Sequence, residues 1–183
     1  MARVLVPLAT GCEELEAVTI IDLLRRGGIE VVTAGLQAGV VKASRGTQLM
    51  PDTTLDAALL DEYDMVVLPG GMPGAQHLKD DARLIALLKK MSAAGRYIAA
   101  ICAAPTVLAE AGVLAGKKAT GYPGFLEKMH LTDVTLSTEA VVQDGLVITS
   151  RGPGTAMDFA LHLVEVLAGH ATRDEVEAGL VRA

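Results

Sequence analysis

The sequence predicts one α/β domain over residues 1–183, with a mainly parallel sheet covered by helices on both faces. Three observations predict it. Short branched apolar runs alternate with helical patterns, and the joints between them are rich in glycine. One run, Met65-Val66-Val67-Leu68, is apolar throughout, whereas a strand with one face in water would alternate. A chain of 183 residues, 51% of them hydrophobic, can bury a sizeable core. Tryptophan is absent and aromatics make up 3%, so small and branched aliphatics must fill that core.

In order, Arg3 to Leu8 reads as a strand and Glu13 to Arg26 as a helix with a broad apolar side, closed by Gly27-Gly28. Ile29 to Ala34 is the next strand. Val40 to Leu49 is interrupted by polar residues and predicts short peripheral strands, followed by a small helix at Leu55 to Leu60. The strand Asp64 to Leu68 ends in Pro69-Gly70-Gly71. A helix over Asp81 to Ala94 stops at Gly95, the strand Tyr97 to Ile101 follows, and a helix over Ala103 to Ala111 is closed by Gly112. Val134 to Val142 and Leu146 to Thr149 read as a hairpin about Asp144-Gly145. Helices over Thr155 to Leu167 and Arg173 to Leu180 complete the chain.

The net charge of −6 comes with no Lys/Arg cluster longer than a pair, so no nucleic-acid footprint is evident. No segment approaches the ~18 apolar residues of a membrane helix, and the apolar start is too short for an export signal. Cys12 and Cys102 make no disulfide framework, and no cysteine and histidine pair has zinc-site spacing. The expectation is a cytoplasmic protein with no metal and no cofactor.

Ligands of such sheets bind beyond the carboxyl ends of the strands, which places Gly11 to Glu16, Pro69-Gly70-Gly71, Cys102 and Arg151 to Gly154 at one edge. None of these is a dinucleotide fingerprint or a phosphate loop. Cys102 stands between a strand and a helix, in a tight turn that Ala100 and Ala104 are small enough to permit, as in a nucleophile elbow. N–H groups at the helix start would favour its thiolate. The alternative is a buried cysteine acting as a small hydrophobe.

Glu16 heads the row Ile20, Leu23 and Leu24 on the apolar side of its helix, so its pKa should rise and it can serve as a proton donor or shuttle. Glu13 and Glu14 are expected only to complement the helix N-terminus. Gly70, Gly71 and the N–H of Ala103 can form an oxyanion pocket, or the glycines can be only a turn.

These residues carry a family resemblance. Glu13-Glu14-Leu15-Glu16, Ala43-Ser44-Arg45-Gly46, Val67-Leu68-Pro69-Gly70-Gly71, Ala99-Ala100-Ile101-Cys102-Ala103-Ala104-Pro105 and Thr149-Ser150-Arg151-Gly152-Pro153-Gly154-Thr155 occur in order along nearly the whole chain. The sequence resembles the ThiJ/PfpI superfamily, in the branch of the parkinsonism-associated protein deglycase and its bacterial homologues. The resemblance implies a flavodoxin-like three-layer sandwich that forms a homodimer. It also implies an oxidation-prone Cys102 hydrogen-bonded by a protonated Glu16, and an anion pocket bordered by Gly71 and Ala103. Arg45 and Arg151 would lie close to that pocket around the dimer interface.

The activities it implies are glyoxalase action on methylglyoxal or glyoxal and removal of their early adducts from amines and thiols, in a stress-protective role. Peptidase-like relatives place a histidine directly after the nucleophile, where this chain has Ala103. Animal relatives place a histidine where this chain has Tyr122, and a phenol is a poor proton acceptor at neutral pH. His77 can approach from the loop after Gly71 or serve at the surface. His130, His162 and His170 read as structural or exposed. Cys12 is expected to be a spectator or an occasional resolving thiol.

The leading reading is a cysteine-dependent, cofactor-independent glyoxalase or deglycase, a lyase or hydrolase of small dicarbonyls. The alternative is a redox-responsive chaperone or binding protein that meets unfolded clients and is signalled by Cys102 oxidation. A third is a scaffold with no redox role.

Overall fold

Burial in the first strand, β1 (Arg3–Leu8), alternates between two cores: Val4, Val6 and Leu8 pack on one side of the sheet and Leu5 on the other. A strand with both faces covered is what an apolar run without polar interruption must form. The computed structural model describes residues 1–182. After β1 come α1 (Glu14–Arg26), β2 (Glu30–Gly35), β3 (Val41–Lys42), β4 (Gln48–Leu49), β5 (Thr53–Thr54), α2 (Leu55–Ala58) and β6 (Met65–Leu68). The chain continues through α3 (Gly74–Asp80), α4 (Ala82–Ala93), β7 (Tyr97–Ile101), α5 (Pro105–Glu110), β8 (Lys118–Ala119) and β9 (Thr135–Leu136). It ends with β10 (Val141–Asp144), β11 (Val147–Ser150), α6 (Ala156–Ala168) and α7 (His170–Gly179).

Seven strands form the central sheet in the order β10-β11-β7-β6-β1-β2-β5. Every pairing is parallel except β10 with β11. The inner order β2-β1-β6-β7-β11 is the flavodoxin-like one. One core layer joins Val67, Ala99, Ile101 and Ile148 to Ile20 and Leu24 of α1 and to Phe159 and Leu163 of α6. The other joins Val66, Leu68, Ile98 and Ala100 to Leu78, Leu84, Leu88 and Leu108 of α3, α4 and α5. The predicted three-layer α/β sandwich is the observed architecture.

Two expected elements differ. The run Val134 to Val142 is not one hairpin strand: Thr135–Leu136 pairs in parallel with β8, and only Val141 onward pairs with β11. Side chains take the carbonyls between them, Thr120 Oγ1 donating to Ser137 and Arg151 to Thr138. The helix expected from Ala103 begins at Pro105, because Cys102 and the two alanines are still turning. Proline suits the first helical position, where no N–H is needed.

The topology reverses between β1 and β6, the usual ligand crevice of such sheets. Here backbone fills it. A β-carbon at Gly11 would lie 2.5 Å from Pro73 Cδ, and one at Gly74 would lie 2.5 Å from the Cys12 nitrogen. Gly71, with φ 87°, has equally little room against Cys12 and Glu13. Room for chemistry is therefore displaced to either side of this seam.

Candidate active site

On the β7 side of the seam stands Cys102, the first residue beyond its strand. Its φ of 66° is in the left-handed region, which costs a residue with a β-carbon roughly 1–3 kcal/mol and persists only where the surroundings enforce it. Two hydrogen bonds enforce it here: the Cys102 N–H donates to Ser150 O at 3.0 Å, and the Tyr122 N–H donates to Cys102 O at 2.7 Å. Ala100 and Ala104 are both buried beside the turn. The predicted elbow is present, and its cysteine is 8% exposed.

Glu16 reaches the elbow from α1. It lies on the buried face with Ile20, Leu23 and Leu24 and is itself fully buried. Oε2 accepts the Gly70 N–H at 2.8 Å. Oε1 is the one buried side-chain polar atom among the described residues that has no hydrogen-bond partner. Gly70 is what lets the groups meet, since a β-carbon there would lie 2.6 Å from Cys102 Cβ and 2.9 Å from Glu16 Oε2.

Burial pushes the Glu16 carboxyl up to about 7, opposed by the Gly70 N–H and by the neighbouring Cys102 thiol. Burial first, and then the negative charge of Glu16, push the Cys102 thiol up to about 12. The N–H groups of Gly71 and Ala103 face the sulfur and pull the other way. The expectation of a helix-stabilised thiolate is therefore corrected: two N–H groups are present, but desolvation and a like charge outweigh them. Protonating Glu16 removes the like charge, so carboxylate and thiolate are alternative resting places for one negative charge. Such a pair can place a nucleophilic sulfur beside a neutral carboxylic acid, with two N–H donors at hand for a developing oxyanion.

The supporting candidates are dispersed. Tyr122 is half-exposed, rests its ring against Gly152 and meets Phe125 edge-on at 6.0 Å. Arg151 follows Ser150 at the elbow, but its guanidinium donates to Thr138 O at 3.0 Å. Arg45 is exposed on the β3–β4 turn. His77 is exposed and bonds Thr10 O through Nδ1 at 2.9 Å, on the far side of the seam.

Cys12 is fully buried, and its thiol is pushed up to about 11 by burial and the neighbouring glutamates. It lies in the loop after β1 whereas Cys102 directly follows β7, with β6 between the two strands. Both thiols are free.

Sequence reasoning missed the role of Glu14. Beyond complementing the helix, its carboxylate accepts the N–H groups of Arg45 and Thr47 and the Ser44 hydroxyl, clamping the β3–β4 turn to the start of α1. It also missed Ser150 and Thr155, whose hydroxyls meet at 2.7 Å beneath the Gly152 turn. The Ser-Arg-Gly-Pro-Gly-Thr run was itself the available signal for the second pair. Nothing local could signal the first, because its partners lie about thirty residues apart.

The model of the DJ-1/PfpI family matches residues 2–166. The chain belongs to the DJ-1/PfpI family. Protein dj-1beta of Drosophila melanogaster is 47% identical over 178 residues, covering 97% of this chain and 95% of that protein. The crystal structure of that DJ-1 protein superposes with a TM-score of 0.95, covering 100% of this chain and 98% of its own. Oxidized DJ-1 of Toxoplasma gondii also gives a TM-score of 0.95, at 42% identity and full coverage of both chains. The glutathione-independent glyoxalase DJR-1.2 of Caenorhabditis elegans is 38% identical over 157 residues, covering 86% of this chain and 83% of that protein. No helix among the described residues is long and apolar enough to cross a membrane.

Proposed function

We propose that this DJ-1/PfpI protein is a cofactor-independent glyoxalase or deglycase of methylglyoxal, glyoxal or their early adducts. The observation that carries the reading is the fully buried Glu16 carboxyl, one oxygen of it unpartnered, set against Cys102 across Gly70. The similarity to the nematode glutathione-independent glyoxalase supports the same reaction class.

In this reading Cys102 passes its proton to Glu16 and the thiolate adds to the aldehyde carbon of methylglyoxal; the oxyanion that forms beside the N–H groups of Gly71 and Ala103 takes the proton back from Glu16, leaving a hemithioacetal and a carboxylate. Glu16 then takes the proton from that carbon and returns one to its neighbour, turning the hemithioacetal into a lactate thioester. Water splits the thioester, giving lactate and the free thiol. One carbon is oxidised and its neighbour reduced, so the sum is methylglyoxal plus water and no external redox partner is required. Glyoxal gives glycolate by the same steps.

The protein would act as a homodimer in the cytoplasm. Exposed Leu15 and Val18 of α1 and Met157 of the adjoining α6 offer an apolar face to a second copy. Lactate formation from methylglyoxal tests the reaction. C102S and E16L should each abolish it, and wild-type turnover in C102S would remove Cys102 from the mechanism.

The free Cys102 sulfur, set at the elbow with the N–H groups of Gly71 and Ala103 facing it, supports a second reading, in which the sulfur is modified once and signals a change in client binding. Stoichiometric modification without repeated turnover would replace the first reading with this one.

A further inference from the structure

A cavity lies away from Cys102, on the opposite side of the filled seam. It measures about 390 Å³, within the range of ligand pockets, and sits at the carboxyl ends of β1 and β2. Leu8, Ala9 and Val41 form an apolar, buried floor, while His77 and Asp80 of α3 stand at the wall. We propose that this cavity is a second ligand site of the protein, which takes a small monoamine cation carrying a compact apolar group.

The choice of a cation follows from which polar groups are already occupied. Arg83, the cavity's one guanidinium, spends four of its five N–H groups within the protein: it donates to both oxygens of Asp81, to Asp56 and to the Leu36 carbonyl. Its charge is matched by the carboxylates of Asp56 and Asp81, and Asp80 adds a further negative charge to the lining, which disfavours an incoming anion. Asp81 is further occupied by the N–H groups of Arg83 and Leu84 at the start of α4.

Asp80 is different. Only Oδ1 is engaged, by the Gln76 side chain at 2.8 Å, and Oδ2 takes no hydrogen bond among the described residues. His77 is oriented by its bond to Thr10 O, which cannot donate, so Nδ1 carries the hydrogen and Nε2 of the neutral ring is an acceptor. Asp80 Oδ2 and His77 Nε2 thus present two acceptors beside a net negative charge, and an ammonium group supplies three donors. The leucine, alanine and valine floor takes the apolar part.

Cyclohexylammonium is the probe, with cyclohexanol and cyclohexanecarboxylate as size-matched controls, and methyl NMR of the intact protein is the readout. Saturable shifts confined to Leu8, Val40 and Val41 are expected for the ammonium, with affinity roughly tenfold or more above that of the alcohol and no binding of the carboxylate, the ratio expected of a charge-assisted hydrogen bond. Asp80→Asn should weaken the ammonium about tenfold, and Ala38→Phe, at the exposed rim, should block it while the thermal midpoint holds. Carboxylate binding as tight as the ammonium would overturn the proposal. So would an Asp80→Asn affinity equal to wild type, or no saturable shift at these methyls.

Discussion

The backbone N–H of Gly70 donates to Glu16 Oε2 at 2.8 Å, while the place where its β-carbon would be lies between Cys102 Cβ, Ile101 O and Glu16 Oε2 at 2.6, 2.8 and 2.9 Å. Glycine is required there for space, not for an unusual φ. Gly70→Ala should therefore force the elbow and the carboxyl apart, at the cost of an overpacked core, about 2–3 kcal/mol. Urea unfolding checks the stability, and methylglyoxal turnover should fall with it. An alanine variant as stable and as active as wild type would show that the three groups have slack.

Glu16 should make the fold less stable as pH rises. Its carboxyl titrates near 7 in the folded chain against about 4.5 unfolded, so between those values the folded state holds a proton that the unfolded state has lost. Stability then falls from pH 4.5 through 7 and levels off above, by about 2–4 kcal/mol for a shift of this size in a fully buried group. Glu16→Gln keeps an acceptor for Gly70 and cannot ionise. Its unfolding free energy at pH 8 should exceed that of wild type by about 2 kcal/mol. An unchanged slope between pH 5 and 8 would place the raised titration elsewhere.

Glu14 works in the opposite sense. Hydrogen bonds from Arg45, Thr47 and Ser44 hold its carboxylate down at about 2, against burial, so its stabilisation is complete above pH 4.5 and is lost as pH falls through 2. Glu14→Gln should cost about 1–2 kcal/mol at neutral pH, because a neutral amide replaces a charged acceptor. It should also flatten the acid limb of the stability profile. Equal acid midpoints for the two proteins would deny the clamp.

The fold was legible because its signals are local. The unbroken apolar run Met65 to Leu68 can only be a strand covered on both sides, and glycines mark the helix ends at 27, 95 and 112. Cys102 and Glu16 were legible for the same reason, one by its place after a strand and the other by its row with Ile20. Depth and solvation were not. Whether two N–H groups or a buried like charge dominates at Cys102 depends on distances across β6 and β7, which no local pattern encodes. The break at Ser137 to Ala140 was hidden likewise, since Thr120 and Arg151 decide it from afar.

Tyr122 should matter for its ring and not for its phenol. The ring rests on Gly152 and Phe125, and its backbone N–H clamps the Cys102 carbonyl, whereas the proposed reaction routes its protons through Glu16. Tyr122→Phe should keep kcat/KM for methylglyoxal within about threefold of wild type. Tyr122→Ala, which loses the wall, should lower it by about tenfold, the upper size of an aromatic contact. A loss in the phenylalanine variant as large as in the alanine variant would give the hydroxyl a chemical role.

The charge shared by Glu16 and Cys102 predicts a pH at which two proteins diverge. Below pH 7 the carboxyl of wild type is largely protonated, so its electrostatics match those of Glu16→Gln, and iodoacetamide should alkylate Cys102 at similar rates in both. Above pH 7 only wild type acquires the carboxylate that holds the thiol up, while the N–H groups of Gly71 and Ala103 act on the sulfur in both proteins. The ratio of variant to wild-type rate should therefore stay near one at pH 6 and climb beyond roughly tenfold by pH 9, about one pKa unit of like-charge repulsion. Peptide mass spectrometry should place the adduct on Cys102, with Cys12 unmodified inside the core. A ratio that stays constant across this range would mean that burial alone sets the thiol, and Glu16 would then lose its claim to govern the reactivity of the elbow.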